Sequence, residues 1–209
     1  MEIIIKADTD QKDWSTDEIG VLIKKHKILG KFVHEPKLNQ WLKEITTQFS
    51  EKKLTSGIET LSAYQTKITA HAVPQKPGLD EKDNLRLAGY NLITSLKKRS
   101  PEKVIFLCNQ SNLSDFTCLV EGVHLGLYQF TQFKSKPKPS PLKEIVFIVS
   151  PKSRKSFQKE FERIAALSKG ITHCRDLVNT PGSSLTPQDF ADKAKLLAKE
   201  SSLSIEIKE

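Results

Sequence analysis

A chain of 209 residues with 37% hydrophobic and 28% charged residues, nine glycines and ten prolines is long enough for one domain, or one domain and part of a second. That composition excludes collagen-like, low-complexity and disordered classes. Thirty-three Lys and Arg against twenty-five Asp and Glu leave a formal charge of +8, a field that attracts polyanions without proving that one binds. No stretch approaches the about 18 apolar residues of a membrane span, and Met1-Glu-Ile-Ile-Ile-Lys6 has neither a basic start nor a long apolar run. No secretory signal and no membrane partner are expected. Cys108, Cys118 and Cys174 are too few and scattered for a disulfide framework, which suits a reducing, cytoplasmic location.

In chain order, short β-branched runs at Ile3–Ile5 and Ile19–Ile23 predict buried strands. A helix follows over Asp80–Arg99, with Leu85, Ala88, Leu92 and Leu96 on one face, cations in its last turn, and Pro101 blocking continuation. Val104–Leu107 reads as a strand. From Ser114 a second helix carries the stripe Phe116, Val120, Val123, Leu127 and Phe130, ending in the extended linker Lys136-Pro-Lys-Pro-Ser-Pro141. Ile145–Val149 is the next strand, and Phe157, Phe161 and Ile164 open a long helix that runs toward Leu177 before Pro181 stops it. Thr186-Pro-Gln-Asp189 then supplies a hydroxyl cap, a proline at the first position and an acid three residues after the cap. Phe190, Ala194 and Leu197 continue that helix, and Leu203–Ile207 alternates like a strand. Strands alternating with helices argue for an α/β sheet covered on both faces.

Motifs with direct chemistry are absent. There is no GxGxxG, no GxxxxGK[ST], no HExxH and no GxSxG, so neither a phosphate cradle, a zinc pair nor a serine nucleophile is signalled. His124 reads as a packed or surface histidine, Ser183 and Ser184 as turn residues, and Cys174 as a small packed thiol. The acidic pairs Asp115 with Glu121 and Glu160 with Glu162 read as surface groups. No catalytic or metal-ligating residue is assigned, and no cofactor is expected in this chain. The basic residues are more telling. Lys134, Lys136, Lys138, Lys143, Lys152, Arg154, Lys155 and Lys159 meet only one acid, Glu144, and a second cluster runs from Lys24 to Lys37 with Glu35 the only acid. A solvated face is the plain reading; Lys134, Lys136, Lys138, Lys152, Arg154 and Lys155 are the candidate polyanion contacts.

Two segments say more. Cys174-Arg-Asp-Leu-Val-Asn-Thr-Pro-Gly-Ser-Ser-Leu-Thr-Pro187 resembles the RDLxNxPxNxLTP segment of the leucyl (cytosol) aminopeptidases, and Val120-Glu-Gly-Val-His-Leu-Gly-Leu-Tyr-Gln-Phe-Thr-Gln-Phe-Lys-Ser-Lys136 resembles their EGxxLxxYxFxxFKSK helix. Gly182 stands where proline is usual and Ser183 where asparagine is usual. The resemblance implies a mixed sheet flanked by helices and similar to a macro domain over residues 1–150, a connector helix over 151–181, and the truncated start of a catalytic domain over 182–209. It also implies that the parent enzyme removes N-terminal residues with two divalent metals, manganese or zinc, and assembles as a hexamer, whose N-terminal domain supports assembly. The family's metal ligands lie beyond the position matching Glu209. Arg175, Asp176, Asn179, Pro181, Thr186 and Pro187 are therefore expected to be structural: an ion pair through Arg175 and Asp176 that fixes the joint, then a helix stop and a helix start.

Two other functions compete. A macro-domain-like binder of ADP-ribose would need glycine-rich phosphate loops that the chain lacks, whereas a nucleic-acid module suits the basic clusters. In the second case duplex DNA should bind weakly and without sequence preference, and its affinity should fall with salt by a log-log slope of about −0.9 per phosphate contact. Binding left unchanged by charge reversal at Lys152, Arg154 and Lys155 would mark them as a solvated face.

Overall fold

A computed structural model describes residues 1–8, 18–24, 27–32, 35–52, 56–61, 66–137 and 140–208. The elements are β1 (Glu2–Ala7), β2 (Glu18–Lys24), β3 (Lys27–Ile28), α1 (Pro36–Lys52), β4 (Ser56–Leu61), β5 (Thr66–Ala72), α2 (Glu81–Lys97), β6 (Lys103–Leu107), α3 (Leu113–Leu127), β7 (Glu144–Val149), α4 (Arg154–Asn179) and α5 (Pro187–Glu200). The strands form one mixed sheet in the order β1-β7-β6-β2-β5-β4, with β3 paired to β2. Neighbours from β1 to β5 run parallel, and β4 and β3 add antiparallel edges. The expected mixed sheet between helices is what forms.

Both faces of β6 and β7 are buried, which is why their sequences read as continuous apolar runs instead of alternating ones. Val104, Phe106, Ile145, Phe147 and Val149 face α2, α3 and the start of α4. Ile105, Leu107, Val146 and Ile148 face the other way, onto Leu42, Ile45 and Phe49 of α1. Helix α1 begins at a proline and carries Leu38, Leu42, Ile45 and Phe49 at helical spacing. It lies in a stretch where the sequence reading assigns no element, as do β3, β4 and β5.

The helix on α3 stops at Leu127, so Phe130 lies beyond it and does not continue the stripe. Likewise α2 ends at Lys97, and Lys98 and Arg99 follow it. Arg99 is drawn instead to Glu18, only 2% exposed at the start of β2. Its Nε and Nη2 both donate to that carboxylate, and Nη2 also donates to Thr69 Oγ1 at 2.7 Å. Helices α2 and α3 meet backbone to backbone: a Cβ on Gly122 would sit 2.0 Å from the Arg86 carbonyl oxygen, so only glycine fits.

Helix α4 is 26 residues long, about 39 Å at 1.5 Å per residue, and only Phe157, Phe161 and Ile164 are buried. Phe157 stacks on Phe116 at 4.4 Å between ring centroids. Beyond Ile164 the helix leaves the core, which corrects the reading of Cys174 as a packed thiol: it is exposed. A second correction concerns Leu203–Ile207. No strand forms there among the described residues, where no other strand pairs with the segment to share backbone hydrogen bonds. Leu203, Ile205 and Ile207 are 67%, 45% and 41% exposed, and Phe190 and Leu197 of α5 are exposed too, whereas Ile105, Phe116, Val120, Val123 and Phe147 are fully buried.

Removing one partner of a buried ion pair strands the other charge. Glu18→Gln should therefore lower the unfolding free energy by about 3 kcal/mol in urea denaturation; an unchanged midpoint would mean that Arg99 and Thr69 are satisfied without it.

Candidate functional site

The two segments that resemble a known family are 38 residues apart at their closest ends in sequence, yet they close on each other in space. Helix α3 ends where Tyr128 adopts an extended ψ of 134°, and this turns its ring toward the far end of α4. The Arg175 guanidinium carbon stands 3.8 Å above the ring centroid, and Arg175 Nη1 donates to the Leu125 carbonyl at 3.5 Å. The Tyr128 hydroxyl donates to Asp176 Oδ1 at 2.8 Å and accepts from Asn179 Nδ2 at 3.0 Å. One ring thus gathers three signature residues. The expected ion pair through Arg175 and Asp176 is replaced: neighbours on a helix point about 100° apart, so one takes the ring face and the other its hydroxyl. Desolvation and Asp176 push the Tyr128 pKa above its usual value of 10, against Asn179.

The rest of the signature shapes the chain after α4. Thr180 is buried and its hydroxyl donates to the Asp176 carbonyl at 2.6 Å. Pro181 precedes a single 3₁₀ turn, Gly182–Ser184. Thr186 and Asp189 then form the expected reciprocal cap of α5, with Pro187 at the first helical position.

Upstream, Glu121 of the first segment accepts from Arg86 Nε at 2.6 Å across the glycine contact. Asp115 is buried and pairs with Lys24 at 2.6 Å, as Glu81 does at 2.7 Å. Glu160 pairs with Arg163 at 2.6 Å. These carboxylates are structural ion pairs, a correction to their reading as plain surface groups. For Asp115 and Glu121 it takes the tertiary fold to bring the cations near, so the sequence carries no signal for them, whereas Arg163 stands three residues after Glu160 on the same helix. His124 lines a cleft between α3 and α4; its Nε2 is buried with no hydrogen-bond partner among the described residues, and burial pushes its pKa below 6.5. It is a packed, neutral histidine.

Among the described residues no three His, Cys, Asp or Glu side chains cluster closely enough to hold a metal ion. Ser183 and Ser184 are exposed, as are Lys134, Lys136, Lys152, Arg154 and Lys155. Lys138 lies outside the described residues, as do Lys25, His26 and His34. Lys134 and Lys136 precede β7 in the chain and Lys152, Arg154 and Lys155 follow it, so the basic run is interrupted by a six-residue strand. Lys24 is engaged by its two carboxylates.

The chain is 37% identical over 98 residues to a probable cytosol aminopeptidase of Rhodococcus opacus, a match covering 44% of this chain and 19% of the relative. It is 30% identical over 135 residues to that of Rhodococcus erythropolis, covering 62% of this chain and 27% of the relative. The chain is related to the N-terminal region of the leucyl aminopeptidases. Its matches span between 19% and 27% of the length of these relatives. The same fold occurs in tomato leucine aminopeptidase, with a TM-score of 0.70 and 16% identity over 97% of this chain and 43% of that one. It recurs in the bottromycin maturation enzyme BotP, with a TM-score of 0.64 and 17% identity over 90% and 38%. No family model matches the chain, and among the described residues no helix is long and apolar enough to cross a membrane.

Tyr128→Phe should quicken amide hydrogen exchange over residues 175–180 and leave Phe157, Phe161 and Ile164 as slow as before. Equal exchange at both ends of α4 in the variant would show that the hydroxyl does not hold the joint.

Proposed function

We propose that this chain is the N-terminal, non-catalytic portion of a metal-dependent leucyl aminopeptidase and acts as a scaffold for its assembly. In this reading residues 1–150 form the macro-domain-like unit, 151–181 the connector, and 182–209 the first elements of the catalytic domain. The observation that carries it is the Tyr128 joint, in which the two segments resembling the family complete one structure. The exposed apolar residues of α5 and of Leu203–Ile207 add support, since they suit packing against further elements.

The two metals of the parent reaction, manganese or zinc, have no donor set among the described residues, so no residue here is assigned to them. One neighbouring fold, BotP, was solved with Mn. A homo-oligomeric parent, a hexamer, follows from the same resemblance, and a cytoplasmic location agrees with relatives named cytosol aminopeptidase. Weak DNA binding is the second reading, resting on the exposed Lys134, Lys136, Lys152, Arg154 and Lys155.

Incubating the purified chain with L-leucine p-nitroanilide and manganese or zinc should give no turnover. Hydrolysis that scales with chain concentration and survives further purification would overturn the non-catalytic assignment.

A further inference from the structure

Helix α4 touches the rest of the domain at two places. Phe157, Phe161 and Ile164 are buried against the sheet, and Arg175 and Asp176 close on Tyr128. Between these attachments α3 and α4 leave a cleft of about 240 Å³. Its walls include Leu125 from α3 with Leu167 and Ile171 from α4, and the last two remain 48% and 38% exposed.

The two arginines lining the cleft differ in what they have left to offer. Arg86 donates to both Asp83 and Glu121. Arg175 lies on the Tyr128 ring and donates only to the Leu125 carbonyl, at 3.5 Å, among the described residues, so most of its five N–H groups have no acceptor. A guanidinium takes a carboxylate through two parallel hydrogen bonds. His124, neutral through burial, brings no competing charge.

We propose that the cleft between α3 and α4 binds a small apolar carboxylate, its oxygens on Arg175 and its hydrocarbon between Leu125, Leu167 and Ile171. The volume lies below the about 300 to 1,000 Å³ of sites for drug-sized ligands and suits a branched chain of a few carbons. Branched-chain organic acids and free apolar amino acids share this chemistry and differ in the α-ammonium, which Glu121, also on the cleft wall, would face. The site depends on geometry alone and stands apart from the aminopeptidase reading.

Titrating the full chain with 4-methylpentanoate, and separately with L-leucine, should give saturable shifts in two-dimensional 1H–15N spectra at residues around the cleft. Saturation by the acid alone assigns the site to carboxylates without an ammonium; saturation by leucine assigns it to amino acids, and either supports the site. The uncharged 4-methylpentanamide should bind at least about tenfold more weakly, as should the acid to Arg175→Gln, each having lost a charge-assisted pair. Leu167→Trp, at an exposed position, fills the cleft without touching Arg175 and should abolish binding while circular dichroism stays unchanged. Absence of saturable shifts with both ligands, equal affinity for acid and amide, or undiminished binding in a folded Leu167→Trp chain overturns the proposal.

Discussion

Strands β6 and β7 must be kept dry on both faces, and most of the architecture answers that requirement. Each holds an unbroken apolar run, and a strand alternates its side chains between faces, so a layer of helix is needed above and below. Helix α1 supplies one layer through Leu42, Ile45 and Phe49. On the other face α2 and α3 cover β6 and reach β7 through Phe116, and Phe157 and Phe161 of α4 complete the cover. Phe147 meets Phe106, Phe116 and Phe161 within 6.2 Å between centroids. The start of α4 is therefore committed to the core whatever its remaining turns do.

Charge is used at the ends of the sheet instead of inside it. At the end where β2 starts, Glu18, Arg99 and Thr69 tie β2 and β5 to the segment leaving α2. Where β2 ends, Lys24 joins Glu81 and Asp115 near the starts of α2 and α3. Burial alone would lower the Lys24 pKa; its two carboxylates outweigh that and raise it. Acids in a first helical turn also suit the positive end of the helix dipole. Both clusters pin helices to strands, which explains acidic and basic side chains that carry no chemistry.

Helix α4 is thus held at its core end by apolar packing and at its far end by Tyr128, with a cleft between. The first attachment is non-directional and large. The second is made of a ring stack and two hydrogen bonds, each of modest net strength because water competes for the same groups. Motion of the residues after α4 relative to the sheet is accordingly governed by the smaller attachment, and anything seated in the cleft would act on that coupling.

Local signals in the sequence were sufficient for β1, β2, β6, β7, α2, α3, α4 and α5, since buried parallel strands and amphipathic or capped helices write their pattern into neighbouring residues. The reciprocal cap of Thr186 and Asp189 was legible for the same reason. The signature around Arg175, Asp176 and Asn179 marked the joint but not its centre, because Tyr128 lies 47 residues before Arg175 and only packing brings them together. Leu203–Ile207 has a strand's alternation and forms none among the described residues, as pairing belongs to two segments and the sequence of one cannot supply the other. The ion pairs of Asp115 and Glu121 and the exposure of Cys174 were likewise decided by tertiary structure: each depends on which distant backbone stands opposite, and a residue's own neighbours do not encode that.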